Sequence, residues 1–197
     1  MRFAFLLFIC SALTIVAEPT WWSLTKLSRP ELPERSEANS IDRFIRDKQD
    51  ALNLTPAKPA DKGTLARRLA YDLWGMPLSP ERLDNFLKDT RPEAYAELVD
   101  ELLASPRYGE RWARHWLDVV HYGESHGYDK DQPRPHAWPY RDYVIRSFNE
   151  DKPYSRFVRE QIAGDILWPH SEDGIVATGF LSTGPWDLIG HEEVPES

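Results

Sequence analysis

Closely spaced helix-start signals limit the fold of this 197-residue chain more than any other pattern. A Ser or Thr able to act as N-cap is followed within two positions by proline in three places: Ser79-Pro80, Thr90 with Pro92, and Ser105-Pro106. Proline is tolerated in the first turn of a helix but not in its interior, so each signal marks a boundary between short helices. The chain is therefore predicted to be mainly α, an irregular array of about six or seven helices joined by long Pro-rich loops.

Further boundaries are predicted on both sides of this region. Ser40 and Asp61 are expected to be the N-caps of the first two helices, with a Pro-rich connector over residues 55–60 between them, and Gly75 is expected to end the second. Residues 174–188 show no clear period. Apolar positions at helical spacing predict the core faces of several helices. They are Leu65, Leu69 and Leu73, then Leu83, Phe86 and Leu87, then Tyr95, Leu98, Val99 and Leu102, and, in the helix after Ser155, Phe157, Val158, Ile162 and Ile166. In the first helix, Ile41, Phe44, Ile45, Lys48 and Leu52 fit one face.

Residues 1–17 have the character of a secretory signal peptide, a positive n-region followed by an apolar run too short to span a bilayer. We expect cleavage after Ala17, export to the periplasm or the extracellular space, and no integral membrane span in the mature chain. Residues 18–39, which have three prolines and no helical period, predict an extended N-terminal arm. Residues 40–197 are predicted to form a single helical domain.

Cysteine content and charge exclude several classes of protein. Cys10 is the only cysteine and would be removed with the signal peptide, so the mature chain would have no disulfide, no thiolate metal site and no covalent haem attachment. The net charge of −8 argues against a general nucleic-acid binder, which carries a basic surface. We therefore expect no nucleic-acid partner and no covalently bound cofactor, while a divalent metal stays open.

The segment from Ser105 to Tyr128 concentrates aromatic and ionisable side chains in one helix and the turn after it. At about 100° per residue the helix has two distinct faces, and Gly123 is predicted to end it. The apolar face comprises Trp112, Ala113, Trp116, Leu117, Val119 and Val120. The polar row on the opposite face comprises Arg111, His115, Asp118 and Tyr122.

This polar row has two interpretations. His115 with Asp118 one turn away is a pair able to orient an imidazole for acid–base chemistry, which makes Arg111, His115, Asp118 and Tyr122 candidate catalytic residues. The alternative is a structural network in which Arg111 and Asp118 pair with neighbouring helices. The spacing is compatible with both.

The loop after this helix is the best candidate for a metal site. Glu124, His126, Asp129 and Asp131 supply carboxylates and an imidazole within one short stretch, and divalent cations bind such donors. The spacing matches neither HExxH nor a calcium-binding loop. The alternative is a solvated polar loop.

Other polar and aromatic residues also have two interpretations. Glu160 and Asp165 could be the carboxylate pair of a glycoside hydrolase, or could belong to a helical salt-bridge face with Arg156 and Arg159. His136, His170 and His191 are isolated and are interpreted as surface or loop residues. Four tryptophans offer either a carbohydrate-stacking surface or core packing: Trp22, Trp138, Trp168 and Trp186.

Long motifs carry a resemblance to a known family. They are, in order, LARRLAYDLWGMPLSPERLDNFL, YAELVDELLASPRYGERWARHWLDVVHYGESHGYDKDQPR and WPYRDYVIRSFNEDKPYSRFVREQIAGD. Over about residues 20–187 the chain resembles the DUF1549 (PSCyt2) family, which is typical of planctomycetes and related bacteria. The resemblance implies export, a DUF1553 (PSD1) domain further along a longer polypeptide, and in many members a c-type cytochrome module.

The family domain normally continues into a cysteine-and-histidine segment of the form CxRCHDHK, which resembles a haem-attachment motif. No such segment occurs in this sequence, so we expect the helical domain to be incomplete at its C-terminus. The resemblance thus implies that haem is associated with the family, but it does not assign a haem site to residues 1–197.

Two functions of different class follow. The first is an exported DUF1549-like helical domain that acts as a scaffold or interaction module of a cytochrome-linked cell-envelope protein. The alternative is a metal-assisted oxidative or hydrolytic enzyme domain acting on extracellular polysaccharide, with its chemistry at the His115/Asp118 edge and the 124–131 loop. A third hypothesis, a fragment that does not fold stably alone, is separated from both by a cooperative unfolding transition.

Overall fold

The computed structural model describes residues 21–127 and 131–185 of the chain. Within these ranges it contains α-helices and no strand, apart from an isolated bridge between Ser125 and Pro133, which confirms the mainly α prediction. No helix in the described residues is long and apolar enough to cross a membrane. The eight helices are α1 (Ser40–Ala51), α2 (Lys62–Trp74), α3 (Pro80–Lys88), α4 (Ala94–Leu103), α5 (Pro106–Val120), α6 (Trp138–Asn149), α7 (Tyr154–Leu167) and α8 (Glu172–Ala177).

The eighth helix, α8, accounts for the difference from the predicted count of six or seven. It has only six residues, too few to show an apolar period in sequence. Local capping chemistry nonetheless starts it, because the Ser171 hydroxyl accepts a hydrogen bond from Gly174 N at 3.3 Å and Glu172 and Asp173 lie in the first turn. A short 3-10 helix, Thr178–Leu181, follows.

The chain divides into two compact units, Met1–Lys58 and Pro59–Ser197. In the described part of the first unit, residues 25–39 form neither helix nor strand, and α1 is capped by Asn39, whose Oδ1 accepts from Ile41 N at 2.8 Å. The prediction of Ser40 as N-cap is therefore wrong by one position, since the Asn39 amide already serves that donor. No side chain of α1 is buried.

In the second unit, α2, α3 and α4 share one hydrophobic core. The predicted boundaries are confirmed: Asp61 caps α2 by accepting from Thr64 N at 2.9 Å, Gly75 takes the left-handed position after it with φ 72°, and Ser79 caps α3. The buried side chains of this core are Ala66, Ala70, Leu78, Phe86, Ala94, Leu98 and Leu102.

Some predicted core positions prove different. In α2 the two alanines are fully buried while Leu69 and Leu73 are only partly so, because small side chains let neighbouring helices approach closely. The prediction of core positions is wrong for Leu87 and Tyr95, which are 42% and 40% exposed, and for Ile162 and Ile166 of α7, which are 60% and 76% exposed. Thr90 does not cap α4. That helix begins at Ala94, which is too far along for Thr90 to reach its first amides, and its N-cap position is Glu93 without a side-chain bond.

The helices α5 to α8 surround a second hydrophobic core. Close approach of α5 and α6 depends on Gly109, whose N donates to Asn149 Oδ1 at 2.8 Å and where a Cβ would lie 2.5 Å from Ile145 O. The buried side chains of this core are Ala113, Val120, Tyr140, Tyr143, Val144, Phe157 and Ala177.

The carboxyl end of α5 differs from prediction. The helix ends at Val120, and His121, not Gly123, takes the left-handed conformation with φ 57°. Its N–H donates to the carbonyls of Leu117 and Asp118, which satisfies the helix end without a glycine. Val119, expected on the apolar face, is 70% exposed because the last turn presents it away from the second core.

The contact between α7 and α8 is made through two glycines. The backbone of α7 leaves helical geometry at Ala163, and the adjacent Gly164 meets Gly174 of α8 so closely that a Cβ at Gly164 would lie 2.2 Å from Gly174 O. This contact fixes α8 beside the buried side chains of α7.

Candidate functional site

The structure places the predicted polar row of α5 in separate surroundings. His115 and Asp118 are exposed, Arg111 is half-buried, and Tyr122 lies beyond the end of the helix. Within the described residues no hydrogen bond or ion pair joins any two of the four. His115 instead packs its ring edge-on to Trp112, with centroids 5.4 Å apart. The catalytic role of the four stays a prediction.

Arg111 is used in packing at the end of α2. A Cβ at Gly75 would lie 2.8 Å from Arg111 Cδ, so the stem of the arginine rests on the turn that terminates α2. Its Nε is buried and has no hydrogen-bond partner in the part of the chain that the structure describes. The contact favours the structural interpretation for this member of the row.

Tyr122 belongs to a different polar cluster. Its hydroxyl donates to Glu124 Oε1 at 3.4 Å, and Arg141 of α6 pairs with both Glu124 and Asp142, the latter at 3.0 Å. Burial, with the nearby Glu124 carboxylate, raises the pKa of the Tyr122 hydroxyl. Glu124, a predicted metal ligand, is thus engaged by a guanidinium.

In the predicted metal loop, residues 126–127 and 131–132 are joined by hydrogen bonds. Asp131 Oδ1 accepts from Gly127 N at 3.0 Å, and His126 N donates to Gln132 O at 2.9 Å. Asp129 lies outside the described residues. Among residues 21–127 and 131–185 no three His, Cys, Asp or Glu side chains are grouped so that they could hold a metal ion. The metal set Glu124, His126, Asp129 and Asp131 stays a prediction.

A cavity of about 580 Å³ lies beside this loop, between the residues leading into α6 and the end of α8. His126 and His136 both line it, as do Arg134 and Thr183. Two buried polar atoms of its lining, His126 Nδ1 and Thr183 Oγ1, have no hydrogen-bond partner within the described residues. Thr183 is 4% exposed. Sequence reasoning treated His136 as isolated and did not single out Thr183, because their proximity arises only in the folded chain.

A second set of charges forms a network between α6, α7 and α8. The fully buried Glu160 carboxylate accepts from Lys152 Nζ at 2.8 Å, from Arg156 Nε at 2.8 Å and from the Tyr143 hydroxyl at 2.9 Å. Lys152 also bonds Asp173 of α8 at 3.1 Å. Both carboxylate oxygens are therefore engaged.

These contacts set the protonation of the network. Burial by itself raises the pKa of the Glu160 carboxyl, but the donors Lys152, Arg156 and Tyr143 outweigh it, so its pKa lies below the ordinary value. Burial and the adjacent Glu160 carboxylate raise the pKa of Tyr143. Glu160 is consequently a charged structural anchor, and the predicted i, i+4 pair with Arg156 is present.

The glycoside-hydrolase pair gains no support from this geometry. Asp165 is exposed, whereas Glu160 is fully buried with both oxygens engaged by protein donors, so a sugar cannot reach it. Of the four tryptophans, Trp138 is 52% exposed, and Trp168 lies under the guanidinium groups of Arg156 and Arg159, with their Cζ atoms 5.1 and 5.5 Å from the ring. The Trp22 side chain, Trp186 and His191 lie outside what the structure describes.

Comparison with known proteins gives one family match. The model of the family described as "Protein of unknown function (DUF1549)", PSCyt2, matches residues 40–196, most of the chain. Neither the curated proteins nor the solved structures gave a significant match. The matched range holds all eight helices, the cavity and the Glu160 network. The chain is a member of the DUF1549 (PSCyt2) family.

Proposed function

We propose that this chain is an exported scaffold or interaction module of a cytochrome-linked cell-envelope protein. The signal-peptide character of residues 1–17 supports export. The family resemblance supplies the partner class, a DUF1553 domain and a c-type cytochrome module. In this proposal the helical unit is held together by its ion-pair network and presents its surface to another domain.

One observation carries the proposal: large apolar side chains are exposed on the paired helices α7 and α8. Ile162 is 60% exposed, Ile166 is 76% exposed and Ile175 is 54% exposed, although the same helices bury Glu160 and Gln161. Large exposed apolar side chains on two helices that pack together are the kind of residue that a contact with another protein would bury. Burying them contributes roughly 25 cal/mol per Å² of apolar area.

The occupant that we assign to this surface is a DUF1553 domain, because the resemblance implies that it follows the helical domain in the same polypeptide. The test mixes the purified chain with a purified DUF1553 domain and measures complex formation by light scattering and calorimetry. Ile162→Asp with Ile166→Asp is expected to weaken the complex at least about tenfold, since it places two charges in an apolar contact.

The matched control is Ile41→Asp, which changes a similarly exposed isoleucine, at 65%, in the first unit. It is expected to leave the affinity within about twofold. No complex with the unaltered chain, or equal weakening by both changes, would contradict the proposal.

A second candidate function is a metal-assisted oxidative or hydrolytic enzyme that acts on extracellular polysaccharide. It is favoured by the buried His126 Nδ1, which has no hydrogen-bond partner among the described residues. A neutral imidazole nitrogen is a common ligand of divalent metals. Metal analysis tests this function: it requires a stoichiometric metal that is lost in His126→Ala. A folded chain without one would count against it.

A further inference from the structure

The cavity beside the 124–137 loop has a charge balance opposite to that of the chain. The chain has 32 Asp and Glu against 24 Lys and Arg. Among the described residues that line the cavity there is no carboxylate, whereas Arg134, His126 and His136 are present. A concave site with a fixed cationic side chain in its lining favours a negatively charged occupant.

Arg134 is fixed at the cavity wall. Its Nη1 donates to Thr183 O at 2.7 Å and to Gly184 O at 2.9 Å, and its Nη2 donates to Ser182 O. These carbonyls orient the guanidinium but do not neutralise its positive charge. The arginine thereby ties residues 182–184 to the entry of α6 and leaves a fixed positive group at the cavity.

Two hydrogen-bonding groups of the lining are left for a ligand. Thr183 Oγ1 and His126 Nδ1 are buried, and neither has a partner among the described residues. A buried polar atom that is left unpaired costs on the order of 1–3 kcal/mol. A ligand oxygen that accepts a hydrogen bond from either group would remove its share of that cost.

We propose that this cavity binds a small oxyanion-bearing ligand whose body is a ring of about the size of a sugar. Thr183 and His126 donate to the anionic oxygens, and Arg134 supplies the positive field. The lining also has apolar side chains against which a ring can pack: Pro133, Pro135, Pro139, Ile175 and Val176. A volume of about 580 Å³ accommodates such a molecule. This binding role goes beyond the interaction role and does not rest on it.

Calorimetric titration of the full chain, treated with EDTA, tests the proposal with three probes. Sodium glucuronate and glucose share a ring and differ in the carboxylate, while inorganic sulfate carries an oxyanion without a ring. Glucuronate is expected to bind at least about tenfold more tightly than glucose, as a hydrogen-bonded charge requires. Sulfate binding more weakly than glucuronate would support the ring-bearing ligand. Sulfate binding as tightly would leave an oxyanion site but overturn the proposed role of the ring.

Matched variants separate the cavity from the rest of the surface. Thr183→Val and His126→Phe each keep the shape but remove a donor, and each is expected to weaken glucuronate binding about tenfold or more. Thr90→Val and His170→Phe change exposed residues of the same types outside the lining and are expected to leave binding unchanged.

The proposal is overturned if glucuronate does not bind, if glucose binds as tightly, or if the cavity variants bind glucuronate like the unaltered chain. Folding of each variant is checked by thermal unfolding. Ile175 belongs both to the surface assigned to the DUF1553 domain and to the cavity lining, but the complex is tested through Ile162 and Ile166, which are not among the described lining residues, and with the other purified domain. A variant that loses glucuronate binding can therefore still be tested for complex formation with the DUF1553 domain, and the reverse.

Discussion

Buried polar groups are paired in the Glu160 network but lack partners among the described residues at the cavity beside His126. The Glu160 carboxylate has three donors on two oxygens, drawn from α6, α7 and the turn between them. At the cavity, His126 Nδ1 and Thr183 Oγ1 are buried with no partner in the described residues. Polar groups that are fully paired inside the protein hold the helices together, whereas unpaired ones are free to meet a ligand.

The comparison assigns separate tasks to the two regions. The network supplies stability and should be sensitive to any change in its members. The cavity supplies binding, and its polar groups should be nearly dispensable for folding.

The largest effect is expected from Glu160→Gln. Removing the charge leaves Lys152, whose side chain is only 10% exposed, without its closest anionic partner. Breaking one side of a buried ion pair typically costs about 3–5 kcal/mol. Urea unfolding measures it, with the exposed Glu150→Gln as control, expected within about 0.5 kcal/mol of the unaltered chain. A loss below about 1 kcal/mol would show that the network does not stabilise the fold.

Gly164→Ala should be the next most damaging change. The added Cβ would lie 2.2 Å from Gly174 O, so α8 must move and carry Asp173 away from Lys152. Overpacking of this kind costs about 1–3 kcal/mol, which outweighs the gain of up to about 1 kcal/mol from the better helix propensity of alanine. Gly63→Ala in α2 is the control, where a Cβ would lie 3.3 Å from Asp61 Oδ1 and 3.9 Å from Leu87 Cδ2 and would meet no backbone of another helix among the described residues. If both variants unfolded at the same urea concentration, the glycine contact would be unimportant.

Acid should produce a smaller, graded loss of stability. Burial raises the pKa of Glu160 and Asp173, but their donors outweigh it, and both folded-state values lie below the ordinary 4.5 and 3.8. The unfolded chain therefore binds more protons at low pH, so the stabilisation is present at neutral pH and is lost as pH falls through and below those ordinary values. Urea midpoints at about pH 7, 4 and 3 measure this. Glu160→Gln should flatten the profile; an unchanged profile would exclude Glu160 as a source.

The smallest effect on stability is expected from Thr183→Val. The hydroxyl is buried but bonded to no described residue, so its removal loses no hydrogen bond and should change the free energy of unfolding by less than about 1 kcal/mol, with stabilisation the favoured sign. Thermal unfolding checks this. A large destabilisation would mean that Thr183 serves the fold, which would end the contrast between the two regions.

Features set by neighbouring residues were predictable from the sequence. Asp61, Gly75, Ser79 and Ser105 mark helix ends as expected, because a cap bonds to amides only two or three positions away. Helix α8 was not predicted because its six residues are too few to show an apolar period. His121 took the left-handed position that a glycine was expected to occupy, which the local pattern did not indicate.

The sites depend on contacts between distant parts of the chain. A helical wheel correctly placed Arg111, His115 and Asp118 on one face, but it does not reveal what that face meets. Two of the three partners of Glu160, Tyr143 and Lys152, lie outside α7, and His126 and Thr183 line one cavity only in the folded chain. Neither the contacts of Glu160 with Tyr143 and Lys152 nor the shared cavity of His126 and Thr183 can be predicted from composition or spacing.

Hydrogen exchange of the full chain with and without sodium glucuronate, read by mass spectrometry, tests the division between the two regions most directly. Ligand at the cavity should slow exchange in residues 131–137 and 178–184, while amides of α7 around Glu160 exchange at the same rate. Protection centred on α7, or none at saturating glucuronate, would contradict the account.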